Sequence, residues 1–175
     1  RLTALSLVTT VVLFAGTAFS MMRASASRSL PLNTTDTPPP LFGDSKGGLP
    51  SKMTELQAIA DRHGLKIIED ASHAHGAKWR GRMCGSLGDI SVFSLQGDKL
   101  APGGEGGIFL CDDESYLERA TYMGDMLRTL ELPTAAARFA GTTFGIKTRI
   151  APLSAAIARV QLRHLAKRNA KRNEN

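Results

Sequence analysis

An acid, two histidines, a serine and a lysine lie along "IIEDASHAHGAKWRGRMCGSLGDISVFSLQGDKLAPGGEGG", Ile67 to Gly107. Asp70 directly follows an apolar run, and functional groups in open α/β sheets gather just beyond the carboxyl ends of strands. A turn former or helix cap would suit the same position. His73 and His75 have that acid three residues before the first of them. Their spacing fits neither HExxH nor a zinc finger, and no third soft ligand is near, so no metal is expected. "LQGDKLAPGGEGG" is no Walker loop, since no glycine precedes a Lys-Ser or Lys-Thr pair, and it lacks the dinucleotide fingerprint spacing. Taken alone, Lys99 reads as a surface lysine in a turn. The glycines from Gly103 to Gly107 read as backbone that permits tight turns and close approach.

Together these residues make a more specific set. A strand-end acid is followed by a histidine, then by Ser94 at a second strand end, Lys99 five residues later, and a glycine-rich run into a third strand. Pyridoxal phosphate chemistry needs such a set. A lysine must condense with the aldehyde, and a carboxylate must keep the ring nitrogen protonated so that the ring takes up electrons. A hydroxyl and cations must hold the phosphate. Burial or nearby cations favour the unprotonated amine that attacks. A carboxylate facing a ring N–H forms a charge-assisted hydrogen bond, stronger than a neutral one.

These side chains need a scaffold, and the hydrophobic periodicity supplies one. "SKMTELQAIADRHG" sets Met53, Leu56, Ile59, Ala60 and His63 on one helical face, with Ser51 or Thr54 to cap it and Gly64 to end it. "LKIIE", "GSLGDISVFSL" and "GGIFLC" carry short apolar, β-rich runs that read as buried strands. "DDESYLERATYMGDM" begins with acids and aligns Tyr116, Leu117, Ala120 and Met123, as a second helix would. A last helix opens at Pro152, which suits a first helical position, with Leu153, Ala156, Ile157, Val160 and Leu165 as its apolar set. Helix, three strands and two helices describe an α/β domain without internal repeats.

A chain of 175 residues suits one domain, or one domain with a tail. Its 42% apolar and 22% charged content is ordinary for a soluble globular protein. Cys84 and Cys111 form no CxxC or His–Cys cluster and read as buried free thiols. The net charge of +6 is concentrated from Arg138 onward, where nine bases face one acid, Glu174. Such a stripe could contact nucleic acid. No aromatic interleaves with it after Phe144, so stacking platforms are missing and nucleic acid is not the expected partner. A solvated helix face, or contact with ligand phosphates, fits better.

Residues 1–30 read as a targeting segment. A leading Arg, an apolar run from Leu2 to Phe19 and a small-residue Ala24-Ser25-Ala26 site resemble a secretory or organelle signal, with no acid before Asp36. The run is broken by Thr3, Ser6, Thr9, Thr10 and Thr17. It falls short of the roughly 20 apolar residues of a spanning helix. Membrane contact is therefore expected only through residues 1–20, if uncleaved. Residues 31–50 read as a linker rich in Pro, Gly and Thr, which leaves 51–175 as the folded domain.

The stretch "IEDASHAHGAKWRGRMCGSLGDISVFSLQGDKLAPGGEGG" resembles the DegT/DnrJ/StrS family of sugar aminotransferases, as does the later "GIKTRIAPLSAAIARVQLRHLAKRNAKRN". The resemblance implies part of the large domain of the fold-type I, aspartate aminotransferase-like fold, a three-layer α/β/α arrangement with an incomplete sheet. It implies pyridoxal 5'-phosphate as cofactor, with Lys99 as the lysine that binds its aldehyde and then carries the proton. By the same resemblance Asp70 pairs with the ring nitrogen, His73 lies near the ring and its phenolic oxygen, and Ser94 bonds the phosphate. Lys147 stands where most members have an Asn that reaches the phosphate across a dimer interface. A cation there would act as a point charge instead of an amide donor.

The implied reaction takes an amino group from an amino acid, glutamate being expected, to a nucleotide-linked keto sugar in amino-sugar or polysaccharide biosynthesis. A homodimer is implied for the full-length form. The family's Gly-Thr or Gly-Ser phosphate loop and its ring-stacking aromatic are not found before Ser51, and its small domain is not found either. The chain is therefore expected to be a fragment with exposed sheet edges and apolar faces. Two other readings remain at this level: a non-catalytic remnant of the family, and a basic, membrane-targeted binding protein.

Overall fold

The computed structural model describes residues 12–14, 41–44, 49–124, 137–138 and 147–174. Its elements are β1 (Val12–Phe14), β2 (Leu41–Asp44), α1 (Met53–His63), β3 (Ile67–Asp70), β4 (Lys78–Trp79), β5 (Arg82–Met83), β6 (Ile90–Ser94), β7 (Gly107–Cys111), α2 (Glu114–Gly124), α3 (Pro152–Arg163) and α4 (Leu165–Asn173). Five strands form one sheet in the order β1-β7-β6-β3-β2. β2, β3 and β6 run parallel, whereas β7 is antiparallel to both β6 and β1. The edge strands β1 and β2 come from the stretches read as targeting segment and linker. Among the described residues, no helix is long and apolar enough to cross a membrane.

The three apolar runs became the central strands, as their β-branched and aromatic content predicts. Strand alternation divides them between two cores. Val92, Phe109 and Cys111 are buried on one face, where Tyr116, Leu117 and Ala120 of α2 pack on them. On the other face Ile67 joins Met53 and Ala60 of α1, while Leu95, Ile108 and Ile150 join Ala158 of α3. Helices on both faces make the three-layer α/β/α arrangement. Phe109, Ile67 and Leu95 are the largest apolar side chains to be fully buried. Each contributes roughly 1.5–3 kcal/mol over its exposed state.

Several local expectations need correcting. The α1 face is narrower than the sequence suggested: Met53 and Ala60 are buried with Leu56 beside them, but Ile59 and His63 are exposed. Lys52 occupies the N-cap without a side-chain bond. Thr54 instead accepts a hydrogen bond from Trp79 Nε1 at 3.0 Å. Gly64 does end the helix, at a left-handed φ of 63°. In α2, Met123 is exposed and Thr121 and Gly124 are buried in its place.

The C-terminal helical stretch is two helices joined at His164, and α3 is rotated from expectation. Leu153, Ile157 and Val160 face solvent, while Ala158 is buried and Ala155 half-buried. The cause lies at Gly103, where a Cβ would lie 3.0 Å from the Ser154 carbonyl and 3.2 Å from the Ala158 Cβ. Only small residues fit there, so the larger ones turn outward. The short β4–β5 hairpin, paired Lys78↔Met83 and Trp79↔Arg82, was not foreseen.

Candidate active site

Strand register places the first site residue. Asp70 is the last residue of β3 and pairs with Val92 of the parallel β6. Ser94 ends β6 two residues further on, on the same face by alternation. Both therefore stand at the carboxyl edge of the parallel strands. Asp70 is buried, and its Oδ1 accepts the Ser72 N–H at 3.1 Å. The chain then turns tightly, with Ala74 N–H donating to the Ala71 carbonyl. That turn delivers His73 to the surface of the edge and His75 to the interior.

A second loop brings the lysine. Ser94 and Gly107 are register partners across β6 and β7, so the chain leaves and re-enters the sheet at one edge. The excursion is tightly bonded: Leu95 N–H donates to the Gly106 carbonyl, Gly103 N–H to Leu95, and Lys99 N–H to Gln96. At its tip the Lys99 Nζ lies 3.1 Å from His73 Nε2. It also lies 3.5 Å from Asp98 Oδ1, and the two side chains are 12% and 71% exposed. That ion pair is open to solvent on its acidic side and weak for that reason. The shielded amine has the imidazole as its close partner. When Lys99 is charged it must donate, so Nε2 carries the lone pair and the ring proton sits on Nδ1.

Thus Asp70, His73, Ser94 and Lys99, nominated from the sequence, lie at the ends of β3 and β6 or in the loops that leave them. Ser94 Oγ accepts from Gln96 N–H at 3.3 Å, which leaves its own proton available to an anion. Lys147 is exposed and shares no hydrogen bond or ion pair with the other four. Its neighbour Thr148 is buried and binds the Gly124 carbonyl through both N–H and hydroxyl, at 2.9 Å each. A groove of about 390 Å³ between α1 and the β4–β5 hairpin, lined by Met53, Trp79 and Arg82, contains none of the nominated residues.

Two residues of the site were not singled out for the parts they play. His75, weighed only as half of a metal pair, is 3% exposed and tilts against Phe93 with ring centroids 5.0 Å apart. Neither ring nitrogen makes a well-formed hydrogen bond. Burial lowers its pKa to about 4; the Ser94 backbone opposes the shift, and the charges of Lys99 and His73 add to it. The imidazole is therefore neutral at physiological pH. Glu69 is fully buried, with Oε1 accepting from Gly85 N–H at 2.8 Å and Oε2 from Leu87 N–H at 3.0 Å. Its adjacency to Asp70 in an apolar strand was the available signal. Both cysteines are buried free thiols, and burial pushes Cys84 up to about 11.

The donor set fits pyridoxal phosphate. A buried carboxylate whose second oxygen makes no hydrogen bond among the described residues suits a protonated ring nitrogen. A shielded amine beside an imidazole suits an aldehyde, and a strand-end hydroxyl suits a phosphate.

Comparison with known proteins points the same way. The chain is 36% identical over 127 residues to the dTDP-3-amino-3,4,6-trideoxy-alpha-D-glucose transaminase of Streptomyces venezuelae, covering 72% of this chain and 32% of that protein. It is 37% identical over 128 residues to the L-glutamine:2-deoxy-scyllo-inosose aminotransferase of Streptoalloteichus tenebrarius, covering 70% and 30%. The solved structure of Streptomyces venezuelae DesV in complex with a ketimine intermediate matches with a TM-score of 0.61 and 35% identity, over 75% of this chain and 34% of that one. The chain thus spans about a third of the length of these relatives. The fold is accordingly part of a fold-type I domain. A family model for the DegT/DnrJ/EryC1/StrS aminotransferases matches residues 45–175, and the chain belongs to that family.

Proposed function

We propose that this chain is the cofactor-anchoring part of a pyridoxal phosphate-dependent aminotransferase that moves an amino group from an amino acid to a keto sugar. The observation that carries the reading is the 3.1 Å approach of Lys99 Nζ to His73 Nε2 at the strand edge that bears Asp70. When bound, the cofactor supplies an aldehyde to the amine and a ring that takes up electrons.

The chain's own residues do the rest. His73 Nε2 lies within hydrogen-bond distance of the Lys99 Nζ, orients that amine, and is placed to exchange a proton with it during the cycle. Asp70 would accept from the ring nitrogen through its second oxygen, and a charge-assisted bond there would favour the protonated ring. Ser94 Oγ would donate to the phosphate. Lys147, exposed, would contribute its charge to the phosphate held by a second subunit of a homodimer. Glutamate or glutamine serves as the amino donor and a nucleotide-linked keto sugar as the acceptor. The similarity to a dTDP-sugar transaminase and a glutamine-dependent inosose aminotransferase supports these substrate classes.

The decisive experiment adds pyridoxal phosphate, follows the visible absorbance band, and reduces with borohydride. Label on the peptide containing Lys99, absent from Lys99→Ala, is the expected result. A wild-type chain that takes no label, or takes it elsewhere, would end this reading.

A further inference from the structure

The last helix, α4, has no buried residue, yet two consecutive side chains reach from it into both site loops. Asn169 Nδ2 donates to the His75 carbonyl at 2.8 Å, joining residues 94 positions apart. Arg168 donates to the Leu100 carbonyl at 3.4 Å through one terminal nitrogen and to Gln161 Oε1 of α3 through the other. Leu100 directly follows Lys99, and His75 lies two residues beyond His73. The fit on the first loop is close. Gly76 has a φ of 81°, and a Cβ on it would collide with the Asn169 amide. Successive helical side chains diverge by about 100°, so neighbours at 168 and 169 can address two loops arriving from different strands.

We propose that Arg168 and Asn169 are positioning residues that set the approach of His73 to Lys99. Neither touches the pair. Each holds a backbone carbonyl next to it, and both are anchored on one helix that is braced by Gln161. With both bonds made, the β3 loop and the β6 loop share one rigid support. Sliding one against the other then requires a bond to break. Without them, the sheet, the packing of His75 on Phe93 and the His73–Lys99 contact are left to relate the two loops. The inference rests on reading His73 and Lys99 as the working pair.

The test uses the 175-residue chain free of cofactor. Nuclear Overhauser intensity between the His73 ring and the Lys99 ε-methylene reports their approach. Asn169→Ala and Arg168→Ala should each lower it by about half, and the double variant by about tenfold, since such a signal falls steeply with distance and small displacements matter at a site. Arg168→Lys, which can still reach Leu100, should recover most of it, and Lys171→Ala on the exposed side should leave it unchanged. Wild-type intensity in the double variant, with displaced Gly76 and Leu100 amide shifts proving the bonds broken, would overturn the proposal. If the double variant does not fold, unchanged intensity in both single variants would overturn it equally. In the second arm, borohydride labelling of Lys99 with pyridoxal phosphate should be about tenfold slower in the double variant, and equal rates count against positioning. A wild-type chain that never labels refutes the cofactor reading alone, and the cofactor-free arm still judges the two α4 side chains.

Discussion

Glu69 and Asp70 are neighbours in the chain but turn to opposite faces of β3. Glu69 goes under the sheet to receive the Gly85 and Leu87 N–H groups, while Asp70 stands at the carboxyl edge and receives the Ser72 N–H. Two acids differing by one methylene thus separate into a structural clamp and a site carboxylate. Glu69→Gln replaces one accepting oxygen with an amide that faces a buried N–H. We expect it to cost roughly 1–3 kcal/mol in urea denaturation. Asp70→Asn should change stability by less than about 1 kcal/mol yet weaken retention of pyridoxal phosphate by about tenfold or more. The reverse pattern would mean the two roles are exchanged.

His73 is exposed and partners Lys99 through one nitrogen, so its contribution should be chemical and not structural. His73→Gln keeps a hydrogen-bonding group and should label within about threefold of wild type, whereas His73→Leu should be slowed about tenfold. Thermal melting of both should stay close to wild type. A leucine variant that labels at full speed would remove His73 from the mechanism.

Acid should weaken the fold through His75. Its folded pKa of about 4 lies below the ordinary 6.5, because burial disfavours the charged ring. On acidification the unfolded chain takes the proton first. The stability tied to the neutral ring is whole above about pH 6.5 and drains away as pH falls toward about 4. Chemical denaturation across that interval should show a slope that His75→Phe flattens. Identical slopes in the two proteins would assign the acid sensitivity to other groups.

The seat of α3 on Gly103 leaves no spare volume. Gly103→Ala should therefore destabilise by roughly 1–3 kcal/mol, as overpacking does. Ala158→Gly, added to it, should restore part of that loss by giving room, although glycine within a helix carries its own cost of roughly 0.5–1 kcal/mol. Calorimetry of the single and double variants measures the coupling. Simple additivity would show that the close approach is not what limits the site.

Leu153, Ile157 and Val160 form an outward stripe on α3, with exposures of 74%, 41% and 48%. Contiguous apolar surface of this kind promotes self-association. Ile157→Lys combined with Val160→Glu should raise the concentration at which sedimentation detects oligomers, with melting shifted by no more than a degree or two. Unchanged sedimentation would show that association uses another surface.

The central strands, the end of α1 and the start of α3 were legible in the residues, whereas the site set came through the family resemblance, and four of its five members lie at the strand edge. Those elements rest on local signals: an apolar β-rich run, a glycine at a helix end, a proline at a helix start. What was hidden depends on distant contacts. The rotation of α3 is dictated by Gly103, more than fifty positions away, so helical periodicity alone selected the outward face. Met123, Ile59 and His63 were misplaced for a similar reason, since an apolar or amphipathic residue on the flank of a face can end in solvent. His75 was weighed only as half of a metal pair that the spacing already disfavoured, so its buried place went unread. The tight turn after Asp70 separates the two histidines, sending one to the amine and the other inside.

The hinge-free tether of Lys99 has an evolutionary corollary. Since Ser94 and Gly107 are paired while Leu95, Ala101 and Gly103 between them are packed, only the exposed tip at Gln96, Gly97 and Asp98 can gain or lose residues without disturbing the core, and closing a slightly longer tip adds only about 0.6 kcal/mol per doubling. Activity and architecture are therefore separable by small indels at this one place. Descendants that keep the layered core around the open sheet but carry an altered tip would persist as folded, chemically silent copies.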